Sequence, residues 1–346
     1  MVEPKDINWN ELSFALIPTK MMYFTSCQAG DSWKKGGLKP FGNISISPAA
    51  CVLNYGQGLF EGMKVYYHQD GETLVMFRPQ ENAARLADGC RRLCIPPLPE
   101  EIFLDAVTQT AKANKEYVPP YRPNSSSQGA LYVRPVIWGT GPILGVSPAP
   151  EFTFMVYCSP VGPYFKAGFQ PIKLLINKDF HRAAPGATGG VKAIGNYTGG
   201  MLPAKMAKKE GFSEVLYLDA KEDKYIEEVG AANFFCIKGN TLYTPSLDGT
   251  ILPGITRKSI LKLAKEQLGM EVEEKKLLLT EALQADEAFA SGTAAVISPI
   301  GSISLDGKEH LLNNGEVGPI TKKLYDTLIS IQHGLAPDPY NWVYKL

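Results

Sequence analysis

Hydrophobic and polar positions follow two kinds of spacing in the first half of the chain, one typical of strands and one typical of helices. Residues 45–78 alternate short apolar runs with turn signals and end in "TLVMFRP", which predicts strands and hairpins. Apolar positions then take helical spacing from Pro79 to Leu93, and a second helix is predicted from Pro99 to Ala113. "ALYVRPVIWG" and "EFTFMVYCSPVG" are typical of two buried strands. The first half is therefore predicted to be an α/β unit.

The second half begins after a stretch rich in proline, glycine and aromatic residues, "PVGPYFKAGFQP", which is typical of an ordered connector between domains. Beyond it the pattern predicts strands in "IKLLIN", "EVLYLDA", "NFFCIKGN", "TLYTP" and "EAFASGTAAVISPI", and helices near 198–210, 255–268, 280–284 and 319–333. A chain of 346 residues is longer than one core usually supports. We predict an N-terminal domain (1–164), a connector (165–175) and a C-terminal domain (176–346).

The charge balance points to a small-molecule partner. Thirty-five basic residues match thirty-five acidic ones, so no basic field for nucleic acid or an anionic membrane is expected. No apolar run approaches the roughly 18 to 20 residues that a membrane span needs. The first residues, "MVEPKDINWNEL", lack the apolar core of a signal peptide, and we therefore expect a cytoplasmic protein.

The six cysteines and four histidines do not indicate a metal site. The cysteines form no CxxC pair and the histidines stand alone, so neither a zinc site nor a disulfide framework is expected. We predict buried, reduced thiols.

The segment "GGVKAIGNYTGG" places one amine, that of Lys192, among glycines and small residues. Lysines usually sit in solvent, so a surface residue on a flexible loop is one interpretation. The other is a partly desolvated amine with a lowered pKa that attacks a carbonyl. The segment alone does not decide between them.

Carbonyl chemistry at a lysine commonly uses pyridoxal phosphate, whose ring nitrogen requires an acidic partner. "EEVGAANFF" offers Glu227 and Glu228 just before a predicted strand. A carboxylate there would keep the ring nitrogen protonated, although such a pair is also typical of a solvated edge.

Two further segments offer backbone N–H groups to an anion. Pro253 and Gly254 stand at the mouth of a predicted helix that begins with Ile255, which suits a phosphate. The turn in "ASGTAAV" exposes the amides of residues 292–294, which suits a carboxylate. Each signal is weak by itself, since small-residue turns also serve packing.

Together these residues resemble the branched-chain amino acid aminotransferases of the fold type IV pyridoxal phosphate enzymes. The resemblance covers nearly the whole chain through eight segments in the same order: "NYGQGLFEGMK", "FRPQENAARL", "YVRPVIWG", "PVGPYF", "VKAIGNY", "EEVGAANFF", "ILPGITRKS" and "SGTAAV". It implies two domains, a small α/β domain and a larger one with a mixed, barrel-like sheet, with the cofactor between them.

The resemblance also implies a role for each cofactor residue. Lys192 resembles the lysine that bonds covalently to pyridoxal 5′-phosphate and moves the proton, and Tyr197 matches the tyrosine on the phenolic oxygen. Glu228 matches the acid on the ring nitrogen, with Glu227 expected to face solvent and Asn233 a weaker candidate. The residues matched to the phosphate and to the substrate carboxylate are Arg85, Ile255, Thr256, Thr293 and Ala294.

For the substrate the resemblance implies an aromatic cage. It consists of Phe60, Tyr132 and Tyr164, with Tyr55 and Val146 reaching in from the partner subunit of a homodimer. Uncharged aromatic walls suit leucine, isoleucine and valine, because each buried methylene contributes about 0.8 kcal/mol. Arg134 is the candidate partner for the side-chain carboxylate of glutamate. The implied reaction is ping-pong amino transfer to 2-oxoglutarate.

The chain departs from the family at three positions. Ile194 replaces a glycine found in many members, and Ala295 and Ser298 stand where some animal members carry a Cys-x-x-Cys pair, so no redox control by that pair is expected. The roles of Lys64 and Arg257 stay open. A D-amino acid aminotransferase, an aminodeoxychorismate lyase and a catalytically silent vitamin-binding or scaffold protein of the same fold are the alternatives.

Overall fold

The computed structural model describes residues 3–121, 129–162 and 169–346, in two compact units. The first unit comprises Met1–Lys166, Lys192–Ile194 and Ser330–Leu346, and the second comprises Ala167–Val191 and Gly195–Ile329.

The described residues form seven α-helices and seventeen strands. The helices are α1 (Cys51–Tyr55), α2 (Pro79–Arg92), α3 (Glu100–Ala113), α4 (Met201–Lys209), α5 (Ile255–Glu266), α6 (Leu279–Ala282) and α7 (Pro319–Gln332). The strands are β1 (Met21–Gln28), β2 (Gly37–Pro40), β3 (Gly58–Phe60), β4 (Met63–Tyr67), β5 (Leu74–Phe77), β6 (Ala130–Gly139), β7 (Glu151–Val161), β8 (Ile172–Ile176), β9 (Glu214–Leu218), β10 (Ile226–Val229), β11 (Ala232–Lys238), β12 (Thr241–Pro245), β13 (Glu271–Lys275), β14 (Glu287–Gly292), β15 (Val296–Leu305), β16 (Lys308–Leu311) and β17 (Val343–Lys345).

The first unit is built on an antiparallel sheet with strand order β17-β5-β4-β6-β7-β1-β2, with β3 paired to β6. Long strands β6 and β7 form its centre and are buried along most of their length. Helices α2 and α3 pack against each other, and α3 also packs on β1, β6 and β7, which covers one side of the sheet. The predicted α/β unit is confirmed.

The second unit contains a mixed sheet with strand order β10-β9-β8-β15-β14-β11-β12-β13. Strand β8 runs parallel to both β9 and β15, whereas β10 pairs antiparallel with β9 and also with β11. This last pairing joins the two ends of the run from β10 to β11 and closes a barrel of six strands. The expected mixed, barrel-like sheet is confirmed.

The division of the chain differs at two segments from the predicted one, which assigned all of 176–346 to the C-terminal domain. Lys192–Ile194 group with the first unit, because Ala193 forms a β-bridge with Leu59 and the Phe60 N–H donates to the Lys192 carbonyl at 3.2 Å. Ser330–Leu346 also belong to that unit, where β17 extends the sheet beside β5. The predicted boundary near residue 165 lies outside the described residues.

Other local features were not predicted. The short helix α1 interrupts the stretch predicted as strands and hairpins, and the edge strands β2, β13 and β16 carry too few apolar residues to be found by pattern. Cys94 is exposed, unlike the other five cysteines, because it follows the end of α2 in a left-handed conformation. Within the three described ranges, no helix is both long and apolar enough to span a bilayer.

Candidate active site

The glycines before Lys192 allow two backbone segments of the second unit to approach closely. A Cβ at Gly189 would collide with the carbonyl oxygen of Thr250, so no larger residue fits there without movement. The Asn196 side chain ties the same segment together, donating to the Val191 carbonyl at 2.9 Å. Glycine and asparagine therefore give the chain a fixed path on either side of the lysine.

Lys192 itself is partly buried in the first unit. Its Nζ lies 4.6 Å from the centroid of the Phe60 ring. Burial, and next the positive charge of Arg85, lower the pKa of the Lys192 amine to about 8. The interpretation as a solvated surface lysine is therefore wrong. An amine with this pKa is deprotonated often enough near neutral pH to act as a nucleophile or base.

Aromatic and cationic side chains surround the same ring. Tyr132 and Arg134 are two residues apart on β6, so they project from one face of the sheet. The Arg134 guanidinium carbon lies 4.7 Å from the Phe60 centroid and 5.2 Å from that of Tyr132, whose edge contacts Phe14 at a centroid distance of 5.0 Å. Phe60, Tyr132 and Arg134 thus form a wall beside Lys192.

Arg85 points into this cluster from α2, where it meets a residue that sequence reasoning did not single out. Its Nε and Nη2 donate to the two carboxylate oxygens of Glu61 at 2.8 and 2.7 Å. Asn82, three residues earlier on the same helix face, donates to Glu61 at 2.8 Å. A charged residue within the apolar segment "LFEGMKVYY" was the signal in the sequence.

In the second unit Glu228 lies on β10 and is buried. Its Oε1 accepts a hydrogen bond at 3.0 Å from Asn233, its direct partner on β11. The same Asn233 amide donates to the Leu252 carbonyl at 2.9 Å. Asn233, a weaker candidate in the sequence, thus fixes the orientation of the carboxylate.

Arg182 supplies the positive charge beside Glu228 and was missed by sequence reasoning. Its Nη2 lies 2.5 Å from Glu228 Oε2, and its Nη1 donates to the Thr250 carbonyl at 2.8 Å. Both side chains are almost completely buried. A lone arginine in the loop segment "FHRAAPG" gave no pattern that would identify this pair.

Glu227 was expected to face solvent, and this prediction is wrong. Its exposure is 4%, and it lies on β10 with Glu228 rather than before a strand. All four residues of β10 are buried, since the strand closes the barrel and both of its faces are covered. Burial raises the pKa of the Glu227 carboxyl, which bonds to Thr250.

The start of α5, predicted to bind a phosphate, packs closely on a residue of β11. Gly254 is the N-cap, so the cap residue has no side chain to occupy the N–H groups of the first turn. A Cβ at Gly254 would collide with the Asn233 amide oxygen, so this corner packs directly on the residue that holds Glu228. The amides of Ile255 and Thr256 therefore lie at a helix end suited to an anion.

The second turn predicted to bind an anion, in "ASGTAAV", is the hairpin turn between β14 and β15. Gly292 and Val296 are paired, so Thr293 and Ala294 lie in the turn between them. Ser291, just before the turn, pairs with Asn233 on β11. Its buried hydroxyl has no hydrogen-bond partner among the described residues, which leaves a polar atom for a ligand.

Two residues with open roles have different environments. Arg257 is buried in α5, where its Nη2 donates to the Pro245 carbonyl at 2.8 Å and to Glu274 at 2.6 Å. It therefore anchors the helix. Lys64 lies opposite Tyr132 in the sheet, and burial lowers the pKa of its amine to about 8.

Three further predicted residues, Tyr55, Val146 and Tyr197, lie in the described part of the chain. Tyr55 and Val146 are exposed on the surface of the first unit, where the Tyr55 hydroxyl donates to the Leu144 carbonyl. Tyr197 ends a 3-10 helix that begins at Ile194. Tyr164 lies outside the described residues.

The chain matches the profile of the family "Amino-transferase class IV" over residues 58–303. It is 49% identical over its full length to the chloroplastic branched-chain-amino-acid aminotransferase 3 of Arabidopsis thaliana, covering 82% of that protein.

The chain belongs to the amino-transferase class IV family.

Solved structures of branched-chain amino acid aminotransferases share its fold. The enzyme of Escherichia coli superposes with a TM-score of 0.79 at 29% identity, covering 94% of this chain and 98% of that chain. The T.th. enzyme, solved with N-(5′-phosphopyridoxyl)-L-glutamate, gives 0.76 at 25% identity, with 95% and 99% covered. The protein is thus a pyridoxal-phosphate-dependent transferase that acts on small molecules.

The residues of this class IV aminotransferase fit its cofactor. Lys192 offers an amine of lowered pKa to the aldehyde, and Glu228 offers a buried carboxylate to the ring nitrogen. In the second unit the first turn of α5 offers backbone N–H donors to the phosphate, whereas Arg85, the residue matched to the phosphate, pairs with Glu61 in the first unit. Each chemical feature of the cofactor therefore has a complementary group.

We predict that Arg182→Gln destabilises the protein by about 3–5 kcal/mol, because it leaves the buried Glu228 carboxylate without its cation. The measurement is the free energy of unfolding in urea. Arg91→Gln is the matched control, since Arg91 pairs with Asp88 on an exposed helix face and such pairs contribute at most about 1 kcal/mol. Equal losses in the two variants would contradict this account of the buried pair.

Proposed function

We propose that this enzyme transfers the amino group of L-leucine, L-isoleucine or L-valine to 2-oxoglutarate. The products are the branched-chain 2-oxo acid and L-glutamate. The observation that carries the proposal is the Lys192 amine, which has a lowered pKa and lies against the wall of Phe60, Tyr132 and Arg134. The names of the similar proteins support the same substrates.

Lys192 is the residue that bonds to the cofactor and then carries the proton. When bound, pyridoxal phosphate supplies a carbonyl for the amine and a conjugated ring that accepts electrons from the substrate Cα. With the cofactor bound, an amine of pKa about 8 would take the proton from the substrate Cα and give it to the cofactor's C4′ carbon. Burial, followed by the charge of Arg85, holds the pKa of that amine at about 8.

Glu228 keeps the ring nitrogen protonated, and Tyr197 donates to the phenolic oxygen. The carboxylate is suited to its role because Arg182 lies 2.5 Å away and Asn233 bonds to its other oxygen. An ionised acid in a buried position attracts a proton on the ring strongly, since few water molecules screen it.

Phe60 and Tyr132 form an apolar surface for the substrate side chain. A branched aliphatic group gains free energy there by leaving water, and it brings no polar atom of its own that would need a partner. Arg134 stacks on the same rings and supplies a cation for the side-chain carboxylate of glutamate. The same wall of Phe60, Tyr132 and Arg134 can thus accept both a branched-chain amino acid and glutamate.

The alternatives are not favoured. The similar proteins are branched-chain enzymes over the full length of this chain, including the "LFEGMK" and "YVRP" segments that carry the substrate wall. A catalytically silent scaffold would have no need for a desolvated amine beside a buried acid and arginine.

The substrate assignment is tested by steady-state rates over a panel of L- and D-amino acids with 2-oxoglutarate. We expect L-leucine, L-isoleucine and L-valine to give the highest kcat/KM, with L-methionine and aromatic amino acids as slower donors. The cofactor absorbance should change on addition of L-leucine and stay constant with D-alanine. The opposite spectral result would make the enzyme a D-amino acid aminotransferase.

We predict that Glu228→Gln retains the cofactor but lowers kcat by at least about 100-fold, because a neutral amide does not hold a proton on the ring nitrogen. Absorbance reports the bound cofactor and a coupled assay reports kcat. Glu227→Gln changes the adjacent carboxyl and should keep most of the rate. If the two variants lose activity equally, the ring nitrogen has another partner.

We also propose a homodimer in which Tyr55 and Val146 complete the partner's pocket. Val146 is 85% exposed and its neighbour Leu144 is 91% exposed, so the segment presents apolar side chains outward. Contacts between this segment and the residues before α1, such as the Ile143 N–H to the Ala49 carbonyl at 2.8 Å, hold it in place. An exposed apolar patch of this kind is typical of a protein interface.

Val146→Asp is expected to shift the protein from dimer to monomer, since the interface would bury a charge, and to raise the KM for L-leucine. Sedimentation velocity gives the oligomeric state. Leu335→Asp is the control, because Leu335 is likewise an exposed apolar residue of the first unit. A wild-type protein that is a fully active monomer would rule out the shared pocket.

Cytoplasmic location stays a prediction. The similar Arabidopsis thaliana protein is named chloroplastic. Imaging of the fluorescently tagged chain in its own cell distinguishes the two locations.

A further inference from the structure

Glu61 is a fully buried acid that the proposed roles do not use. It lies between β3 and β4, and its exposure is 0%. Its backbone N–H donates to the Pro135 carbonyl at 2.8 Å, which fixes the residue against β6. A buried carboxylate without balancing partners would cost several kcal/mol, so its surroundings decide what it does.

Both oxygens of this carboxylate are held by α2. Arg85 Nε donates to Oε1 at 2.8 Å, and Arg85 Nη2 and Asn82 Nδ2 donate to Oε2 at 2.7 and 2.8 Å. Burial raises the pKa of the Glu61 carboxyl, but Arg85, Lys192 and Asn82 together outweigh burial, and the net pKa is lowered. The carboxylate form of Glu61 is therefore favoured, and its two oxygens are held in one orientation.

The segment that carries Glu61 is hydrogen-bonded to the segment that carries Lys192. The residue before Glu61, Phe60, donates its backbone N–H to the Lys192 carbonyl at 3.2 Å, and Leu59 is bridged to Ala193. The two chain segments therefore hold Glu61 and Lys192 in a set relation within the first unit.

Four titratable or charged side chains act on the Lys192 amine from the packed elements of this unit. Arg85 on α2 and Arg134 on β6 lower its pKa, whereas Glu61 and Tyr132 raise it. Two guanidinium groups thus disfavour the ammonium form, and the Glu61 carboxylate opposes them.

We propose that Glu61 is a positioning residue of the active site, whose carboxylate, fixed by Arg85 and Asn82, balances the positive charge beside the Lys192 amine. The inference rests on the proposed role of Lys192. Without this carboxylate the amine would lose its proton more readily and would return a proton to the substrate less effectively. The pair of Glu61 and Arg85 therefore sets the proton affinity of the Lys192 amine, in addition to linking the end of β3 to α2.

The test is the pH dependence of Lys192 acetylation in the full-length protein freed of cofactor. Trace acetic anhydride labels every amine in proportion to its deprotonated fraction, and peptide mass spectrometry quantifies each lysine. In wild type we expect a Lys192 midpoint near pH 8. In Glu61→Gln the midpoint should fall by about one unit or more, because removal of a nearby negative charge destabilises the ammonium form.

Glu81→Gln is the matched control. Glu81 lies on the same helix and also pairs with an arginine, Arg78, at 3.2 Å, but that pair is partly exposed. Its removal should leave the Lys192 midpoint unchanged, and the exposed Lys322 provides an internal reference in every sample. Near-ultraviolet circular dichroism checks that each variant is folded.

If Glu61→Gln does not fold because it leaves Arg85 without its acid, the Arg85→Gln and Glu61→Gln/Arg85→Gln proteins replace it. The Glu61→Gln/Arg85→Gln protein should then have a lower Lys192 midpoint than the Arg85→Gln protein, because only the double variant lacks the carboxylate. The inference would be overturned if Glu61→Gln kept the Lys192 midpoint of wild type, or the double variant kept that of Arg85→Gln, within about 0.2 pH units. Glu61 would then be a structural residue only. The labelling uses no cofactor, so its outcome is independent of whether the proposed amino transfer is observed.

Discussion

The central physical constraint in this molecule is the removal of one primary amine from water. A lysine in solvent keeps its proton at neutral pH and neither attacks a carbonyl nor accepts a proton from carbon. Burial against Phe60 and the nearby charge of Arg85 bring the pKa of Lys192 to about 8. Gly189, three residues earlier, meets a different constraint, because there the chain passes close to the Thr250 carbonyl.

Each unit contains a buried carboxylate paired with a buried arginine. Such pairs add little net stability, since the loss of hydration offsets the attraction between the charges. They do fix where a charge lies. In the first unit Glu61 and Arg85 place opposite charges beside Lys192, and in the second Arg182 and Asn233 orient the Glu228 carboxylate. The two buried pairs therefore serve mainly to set the charge beside Lys192 and the orientation of Glu228.

Patterns within a segment were readable from the sequence, whereas pairings between distant segments were not. Strands β6 and β7 and helices α2 and α3 follow directly from apolar periodicity, and the barrel follows from the family resemblance. Glu227 was misjudged because the pairing of β10 with both β9 and β11 buries a strand of only four residues. Arg182 and Glu61 find partners 46 and 24 positions away in the chain, a separation that no local pattern reports.

The most direct test of the account is to locate the cofactor on the chain. The holoprotein is reduced with borohydride, digested and analysed by peptide mass spectrometry. A phosphopyridoxyl mass on Lys192, and unmodified Lys64 in the same sample, would agree with the assignment of the reactive amine. A stable adduct on Lys64 or any other lysine, or no adduct in a protein that transfers amino groups, would contradict it.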